Sequence, residues 1–152
     1  MPNNKIDAMI FTQISNEDSV CLEIIHVKLK FFAVSMYLDI EEQTENSFTK
    51  IDEIIQFAKR TRILIATDSN SLSKTWHDKI QNTRGKKLEE YLASRPLHII
   101  YKESENFTFQ KSRGSSNIDI TITNNNLIAD VQDWESSEEE SCPDHNYSKY
   151  KI

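Results

Sequence analysis

An acid and an amide stand two residues apart, at Asp68 and Asn70, directly after a short apolar run at residues 63–66. An unbroken apolar run bounded by polar residues is typical of a strand buried on both faces. In an extended chain, side chains two residues apart point to the same side. The carboxylate can then activate water or hold a hard cation, and the amide can donate to a phosphoryl oxygen. Taken alone, the pair is also typical of a turn, which Asp and Asn favour for conformational reasons.

Three further groups that could take part in a reaction follow or lie on predicted strands. Tyr37 closes one strand, Asp119 lies within another, and Asp144 and His145 stand together near the end of the sequence. Tyr37 is also compatible with a core aromatic residue, and Asp119 with a solvated strand face. If these side chains meet, they supply what metal-assisted phosphodiester hydrolysis requires: carboxylates for a divalent cation, a base for water, and donors for the developing charge. An acid beside an imidazole can hold the ring in its useful orientation.

The elements that must position these groups follow an α/β pattern. Closely linked strands at 20–27 and 29–37 favour an antiparallel pair, and apolar residues at helical spacing predict a helix up to residue 58, capped by Asn46 or Ser47. With the buried strand that follows, this strand–helix–strand unit predicts that Tyr37 and Asp68 reach the same end of one sheet. The other predicted elements are strands at 9–13, 97–101, 107–109, 117–123, 127–134 and 147–152, a helix entered from 82–87 and ended by Pro96, and a solvated acidic loop at 135–141.

Composition limits the class of protein. A length of 152 residues favours one domain, and 38% hydrophobic with 28% charged residues is compatible with a folded core. The formal charge of −6 argues against a general nucleic-acid coating protein, but not against an enzyme with a local basic patch. Cys21 and Cys142 form no closely spaced pair, so we expect reduced thiols rather than a zinc site. The sequence contains no apolar run of about 18 residues, so we expect no membrane span.

The order of these segments resembles the endonuclease domain of non-LTR retrotransposons, which belongs to the endonuclease/exonuclease/phosphatase superfamily. The resemblance spans residues 9–152. It is carried mainly by Asp68-Ser69-Asn70, by Asn82-Thr83-Arg84-Gly85-Lys86-Lys87-Leu88-Glu89, by Ser115-Ser116-Asn117-Ile118-Asp119-Ile120-Thr121 and by Asp144-His145. The helix start and the Ser-Ser-x-Ile-Asp-x-Thr strand are highly specific when they occur together in this order.

The resemblance implies a catalytic role for each of five residues. Asp68 would orient or deprotonate the attacking water, while Asn70 and Tyr37 would contact the scissile phosphate. Asp119 would buttress His145, and His145 would stabilise the phosphorane.

The resemblance also implies a metal site and a substrate surface. Asp144 and Asp68 would hold Mg²⁺ or Mn²⁺, and Arg113, Ser116 and Asn117 would bind the substrate. The expected substrate is the DNA phosphodiester backbone, nicked at an insertion target beside a reverse transcriptase domain in a parent polyprotein. The expected location is intracellular, and nuclear if the enzyme acts on chromosomal DNA, with no membrane partner.

The implied fold is a four-layer α/β/β/α sandwich with two mixed sheets face to face and helices outside. The family's N-terminal strands carry an Asn and a metal-binding Glu, and no segment here matches them. We therefore expect residues 1–152 to be a single partial domain, the later part of an N-terminally truncated one. Because a missing carboxylate costs transition-state stabilisation, we expect weak or no activity from this chain alone.

Two alternatives to a DNA-nicking enzyme remain open at this level. One is a catalytically inactive folded remnant that acts only as a binding or structural protein. The other is a different reaction on the same fold, such as hydrolysis of small phosphoesters. The basic residues near 111–113 and 86–87 fit a DNA backbone somewhat better than a small ligand.

Overall fold

The computed structural model describes residues 5–152 and shows strands, two α-helices and two short 3₁₀ turns within them. The strands are β1 (Ile6–Ile10), β2 (Ser19–His26), β3 (Leu29–Tyr37), β4 (Arg62–Asp68), β5 (Leu97–Ile100), β6 (Phe109–Lys111), β7 (Gly114–Ser116), β8 (Asp119–Asn124), β9 (Gln132–Cys142) and β10 (His145–Lys151). The α-helices are α1 (Thr44–Ala58) and α2 (Thr83–Ala93), and the 3₁₀ turns span Lys74–Trp76 and Ile128–Asp130.

The strands form two sheets whose order places the candidate residues. The larger sheet has the order β1-β2-β3-β4-β8-β5, and the smaller has the order β7-β6-β10-β9. Strands β3 and β4 run parallel and are linked through α1, as the strand–helix–strand pattern predicts. Tyr37 lies opposite Asp68 in the register of β3 and β4, and Asp68 lies opposite Asp119 in that of β4 and β8. These three residues therefore form a row across neighbouring strands.

The two faces of the larger sheet pack against different layers. On one face lie both α-helices, with the fully buried Trp76 and the apolar stripe of β4 in the same cluster. On the other face Phe31, Leu64 and Leu127 form a smaller cluster that Tyr150 of β10 joins from the second sheet. This arrangement confirms the predicted α/β sandwich with helices outside, and the larger sheet is mixed as predicted. The smaller sheet is not mixed, since all of its pairs are antiparallel. Within residues 5–152 the sandwich comprises three layers rather than the predicted four: helices, the larger sheet and the smaller sheet.

Helix α1 begins earlier than its apolar pattern indicates. It starts at Thr44 after Gln43, whose side chain makes no capping hydrogen bond, so the predicted cap at Asn46 or Ser47 is wrong. The reason is that Thr44 and Ser47 are buried and continue the inward-facing stripe of the helix by one turn. Small polar residues can occupy such a stripe without an apolar signal in the sequence.

The acidic segment at 135–141 is not a loop, and that prediction is wrong. It lies within the eleven-residue strand β9, which pairs antiparallel with β10. Lysines of β10 offset the negative charge across the strand pair: Lys149 Nζ lies 2.9 Å from Glu139 Oε2 and Lys151 Nζ lies 2.7 Å from Asp133 Oδ2. The strand predicted at 127–134 begins only at Gln132, because the 3₁₀ turn Ile128–Asp130 occupies the first part of that range.

An ion pair links α1 to the end of α2 and gives a first test of stability. Arg95 approaches Asp52 with two nitrogens, at 2.6 and 2.7 Å, and its guanidinium lies 3.7 Å from the centre of the Tyr91 ring. The hydrogen bond from Arg95 holds the pKa of Asp52 below its ordinary value. A lowered folded-state pKa gives stability that is present above the unfolded-state pKa and is lost as the pH falls through the folded-state pKa.

We expect Asp52→Asn to lower the free energy of unfolding by about 1 kcal/mol at pH 7, because the bidentate pair is partly exposed. The loss should shrink as the pH falls below the ordinary range for Asp, where the wild-type carboxyl also becomes neutral. Urea unfolding at pH 7 and at pH 3 measures both values. Glu90→Gln is the control, since the Glu90 carboxylate lies 4.0 Å from Lys86 in an exposed pair. An equal loss at both pH values would contradict the ionic explanation.

Candidate active site

The site is built where the two sheets meet, around the imidazole of His145. Nδ1 of His145 lies 2.9 Å from Oδ2 of Asp119, and Nε2 lies 3.9 Å from Oδ2 of Asp68. One ligand atom of each of the three residues lies within 4.8 Å of the others. The structure therefore brings together an acid–imidazole pair and a second carboxylate from β4, β8 and β10.

The loop before β6 fixes the positions of Asp119 and His145. The backbone N–H of Asp119 donates to Oγ1 of the buried Thr108 at 3.0 Å, and the N–H of Asn146 donates to the carbonyl of Thr108 at 2.8 Å. The ring of Phe109 meets the His145 ring edge-to-face at 4.9 Å. One short segment thus sets both members of the acid–imidazole pair, although they lie in different sheets.

Burial makes the two carboxyls costly to ionise. Desolvation raises the pKa of Asp68, and hydrogen bonding from Asn70 and the charge of His145 partly oppose it. Desolvation also raises the pKa of Asp119, with the hydrogen bond to His145 opposing and the charge of Asp68 adding to the increase. Two neighbouring desolvated carboxylates favour a positive charge between or beside them. An imidazolium or a bound cation meets that requirement.

We expect Asp68→Asn to raise the melting temperature at pH 7. A folded-state pKa above the unfolded-state value means that the folded protein binds more protons, so stability falls as the pH rises through the interval between the two values. The amide cannot ionise and still offers an oxygen to the N–H of Asn70, which donates to Asp68 Oδ1 at 3.2 Å. Each kcal/mol gained raises the melting temperature by roughly 2–4 °C.

Thermal melts at pH 7 and pH 3 check this prediction, since the gain should be present at pH 7 and absent at pH 3. Asp39→Asn is the matched control, because Asp39 Oδ1 accepts in the same way from the N–H two residues later, at 2.9 Å. A lower melting temperature for Asp68→Asn at pH 7 would contradict the argument from burial.

Tyr37 and Asn70 lie near this cluster, and their side chains differ in accessibility. Tyr37 is 43% exposed and lines a cleft of about 470 Å³ together with Asp68 and Asp119. Asn70 has a left-handed backbone (φ 47°), and its amide nitrogen donates to the carbonyl of Leu38 at 3.1 Å. Tyr37 is therefore accessible from the cleft, whereas the Asn70 amide is bonded within the protein.

Asp144 lies apart from the three-residue cluster. Its Oδ2 is 3.4 Å from Nζ of Lys111, and its carbonyl accepts from the N–H of Gln110 at 2.7 Å. Its backbone has a φ of 72°, which turns the chain from β9 into β10. The carboxylate that the resemblance assigns to a metal is thus paired with a lysine here.

The three residues predicted to bind substrate differ in accessibility. Asn117 is 3% exposed; its side-chain oxygen accepts from the N–H of Thr108 at 3.1 Å, and its amide donates to the carbonyl of His77 at 3.2 Å. Ser116 is half-buried and lies opposite Phe109 in the hairpin of β6 and β7. Arg113 is exposed in the turn of that hairpin. The structure leaves Arg113 open to a ligand and uses Asn117 to hold loops together.

Sequence reasoning gave no role to two residues that position the site. Thr108 holds the N–H of Asp119, as described above. Arg84 donates to the carbonyls of Leu38 and Ser69, at 3.2 and 3.3 Å, and so joins the loops that follow β3 and β4. Arg84 lies inside a matched motif and Thr108 in a predicted strand, but their types and spacing alone do not show which distant carbonyl or N–H they contact.

No helix in residues 5–152 is long and apolar enough to cross a membrane.

The comparisons with known proteins agree with this geometry. A family model described as "Endonuclease-reverse transcriptase" matches residues 31–149. The Retrovirus-related Pol polyprotein from type-1 retrotransposable element R1 of Bradysia coprophila is 23% identical over 154 residues, which covers 96% of this chain and 15% of that protein. The chain thus spans about one seventh of the curated polyprotein that it matches.

Solved structures share the fold. The endonuclease domain of TRAS1, a telomere-specific non-LTR retrotransposon, has a TM-score of 0.88 at 23% identity, over 97% of this chain and 67% of that chain. The 3′-5′ exonuclease NExo from Neisseria meningitidis has a TM-score of 0.60 at 12% identity, over 98% of this chain and 71% of that chain. The family model covers well over half of the sequence, and the resemblance read from the motifs is confirmed. The chain belongs to the endonuclease-reverse transcriptase family, the retrotransposon endonucleases of the endonuclease/exonuclease/phosphatase superfamily.

Proposed function

We propose that this domain hydrolyses phosphodiester bonds of DNA with the help of a divalent cation and nicks one strand. The observation that carries the proposal is the imidazole of His145 held by Asp119 at 2.9 Å, with Asp68 on its other side at 3.9 Å. Family membership makes an endonuclease the expected class of enzyme. The cleft that Tyr37, Asp68 and Asp119 line gives a phosphate access to all three.

Each residue of the row has a role that follows from its surroundings. Asp68 orients the attacking water and accepts its proton, and burial strengthens it as a base by raising its pKa. Asp119 holds Nδ1 of His145, so that Nε2 faces the phosphate and donates to an oxygen on which charge develops. Tyr37 offers a hydroxyl donor from the neighbouring strand.

The carboxylates of Asp68 and Asp119 suit a divalent cation. Carboxylates are the ligands that hard cations prefer, and both acids are half-buried. Asp68 is the acid whose oxygens are not both directed at His145. We therefore assign the holding of Mg²⁺ or Mn²⁺ to Asp68, with Asp144 as a further ligand only if it leaves Lys111. When bound, the cation neutralises charge on the phosphate oxygens in the transition state.

The proposed substrate surface extends from the row to the basic hairpin. Lys111 lies 5.1 Å from the centre of the Phe109 ring, beside the ring of His145, and Arg113 is exposed at the turn. These cations can contact DNA phosphates on an otherwise acidic chain. Because a relative is a retrotransposon Pol polyprotein, we propose that the domain acts beside a reverse transcriptase, in the nucleus if its target is chromosomal DNA.

The proposal is tested by converting supercoiled plasmid to open circles. Wild-type protein should nick the plasmid slowly with Mg²⁺ or Mn²⁺, because no segment of residues 1–152 matches the family's metal-binding Glu, and EDTA should stop the reaction. Absence of open circles with either metal would contradict the enzyme assignment for this chain. Small phosphoesters, assayed in parallel, separate DNA nicking from general phosphoester hydrolysis.

A protein that binds DNA without cutting it is the second candidate. Two of the predicted contacts are occupied internally, because the Asn70 amide bonds to Leu38 and the Asp144 carboxylate pairs with Lys111. This alternative predicts a cooperative thermal melt and DNA binding, with no metal-dependent nicking.

A further inference from the structure

An aromatic stack joins the loop that follows β4 to the residue that follows β5. The ring of His77 stacks on Tyr101, with ring centres 5.0 Å apart and planes 19° from parallel. Tyr101 in turn packs against the buried Trp134, with ring centres 4.5 Å apart. His77 is exposed as a residue, whereas Tyr101 is half-buried. The stack thus runs from the interior to an exposed histidine.

The backbone at His77 is fixed before any ligand binds. Its φ of 60° is unusual for a residue with a side chain, and such a conformation persists only where the surroundings impose it. Asn117 donates to the His77 carbonyl at 3.2 Å, and the carboxylate of the buried Asp78 accepts from the N–H of Asn117 at 2.7 Å. The site and this loop are therefore joined through the residue two positions before Asp119.

The stack lies at the same end of the larger sheet as the candidate active site. Tyr101 follows β5 directly, and the last residue of β5, Ile100, lies opposite Thr121 of β8, two residues from Asp119. With ~4.8 Å between strands and ~3.4 Å per residue, the backbones of Tyr101 and Asp119 lie within about 10 Å. That distance corresponds to about one to three nucleotides of a stacked strand, which rises ~3.4 Å per base.

A cation, Lys79, follows the histidine of the stack by two residues. Nζ of Lys79 lies 4.6 Å from the centre of the Phe107 ring and 3.2 Å from Oγ of Ser115, so this side chain is held against the loop before β6. Aromatic rings together with a cation suit a ligand with planar faces and a phosphate backbone. On a chain of net charge −6, base stacking compensates for weak overall attraction to a polyanion.

We propose that the His77–Tyr101 stack is a platform for an unpaired base of the substrate strand, one to three nucleotides from the scissile phosphate, with Lys79 contacting the backbone beside it. The inference rests on the proposed function only in taking DNA as the substrate. It adds a binding position outside the row of Tyr37, Asp68 and Asp119.

The test measures the affinity of the full chain for a fluorescent single-stranded DNA of twelve nucleotides in EDTA, by anisotropy, so that no cleavage is needed. His77→Asn removes the ring and keeps a residue that tolerates a left-handed backbone. We expect it to raise the Kd about 5- to 50-fold. His98→Asn is the matched control, because His98 is a histidine of β5 bonded to Asn125 at the other end of the strand. It should leave the Kd unchanged.

A scan with abasic sites locates the stacked base. Removing one base at a time should weaken binding of the wild type at one position, and at that position His77→Asn should show no further loss. A Kd for His77→Asn within twofold of the wild type overturns the platform, as does a wild type that does not bind the oligonucleotide.

Plasmid nicking, measured separately, distinguishes this inference from the proposed function. Nicking by the wild type together with a Kd insensitive to His77→Asn overturns the platform and leaves the nuclease. A Kd sensitive to His77→Asn without any nicking supports the platform and rejects the nuclease. Thermal melts of both variants show whether a lost affinity comes from the ring or from unfolding.

Discussion

His145→Ala is expected to slow metal-dependent plasmid nicking about 100- to 1,000-fold, the usual cost of removing one donor to the developing charge. The imidazole is the one group in the described part of the chain that contacts Asp119 at 2.9 Å while also facing Asp68. Alanine leaves Asp119 buried without its partner and the phosphate oxygen without a donor. Initial rates of open-circle formation, at equal protein and Mg²⁺ concentrations, measure the effect.

His26→Ala is the control for that experiment, because His26 lies at the end of β2 in the hairpin with β3, away from the row of candidate residues. It should nick at the wild-type rate. Equal nicking by wild type, His145→Ala and Asp68→Ala would show that a contaminating nuclease made the open circles. A thermal melt of His145→Ala with an unchanged midpoint separates lost chemistry from lost structure.

Asp119→Asn refines the assignment of roles. The amide has nearly the shape of the acid, but it can no longer supply a negative charge to Nδ1 of His145. If Asp119 only positions the ring, the Asn variant should keep the affinity for DNA while the nicking rate falls. This split between binding and rate is what a positioning residue predicts and a substrate-binding residue does not.

The part of the site that depends on local hydrophobic patterns could be predicted from the sequence. Tyr37 and Asp68 meet because a parallel strand pair linked by a helix brings both strand ends together, and the apolar runs show both strands. The pairing of Asp119 with His145 joins two different sheets, so no local period reports it; only the resemblance of ordered motifs did. Long-range pairing of this kind depends on how the sheets pack, which periodicity does not encode.

The errors have a common physical origin in tertiary partners that a residue's own local pattern does not show. The acidic stretch of β9 forms a strand paired with β10, whose lysines offset its charge, and Thr44 and Ser47 are buried residues of α1. Asn117 reads as a polar strand residue open to a ligand, yet its amide is used by His77 and Thr108. Predictions for polar residues were therefore wrong more often than those for apolar residues, because the role of a polar residue depends on the group to which it hydrogen-bonds.

Gly85→Ala is expected to destabilise the fold strongly, by about 3 kcal/mol or more. A Cβ at this position would overlap the backbone carbonyl of Leu72 and come within 3.1 Å of Oδ1 of Asn82. That same oxygen caps α2 by accepting from the N–H of Gly85 at 2.7 Å, so relief of the overlap also weakens the cap, which is worth about 1 kcal/mol. The obstacle is backbone, which cannot rotate away as a side chain would.

Gly114→Ala provides the matched comparison, because a Cβ there meets no atom within 4 Å. Urea unfolding should show a much lower midpoint for Gly85→Ala and a nearly unchanged one for Gly114→Ala, and coinciding midpoints would refute the steric argument. The effect should reach the site as well, since Arg84 precedes this glycine and joins the loops after β3 and β4 through the carbonyls of Leu38 and Ser69. Displacing the start of α2 therefore loosens the loop that carries Asn70, and plasmid nicking should fall even at temperatures where Gly85→Ala remains folded.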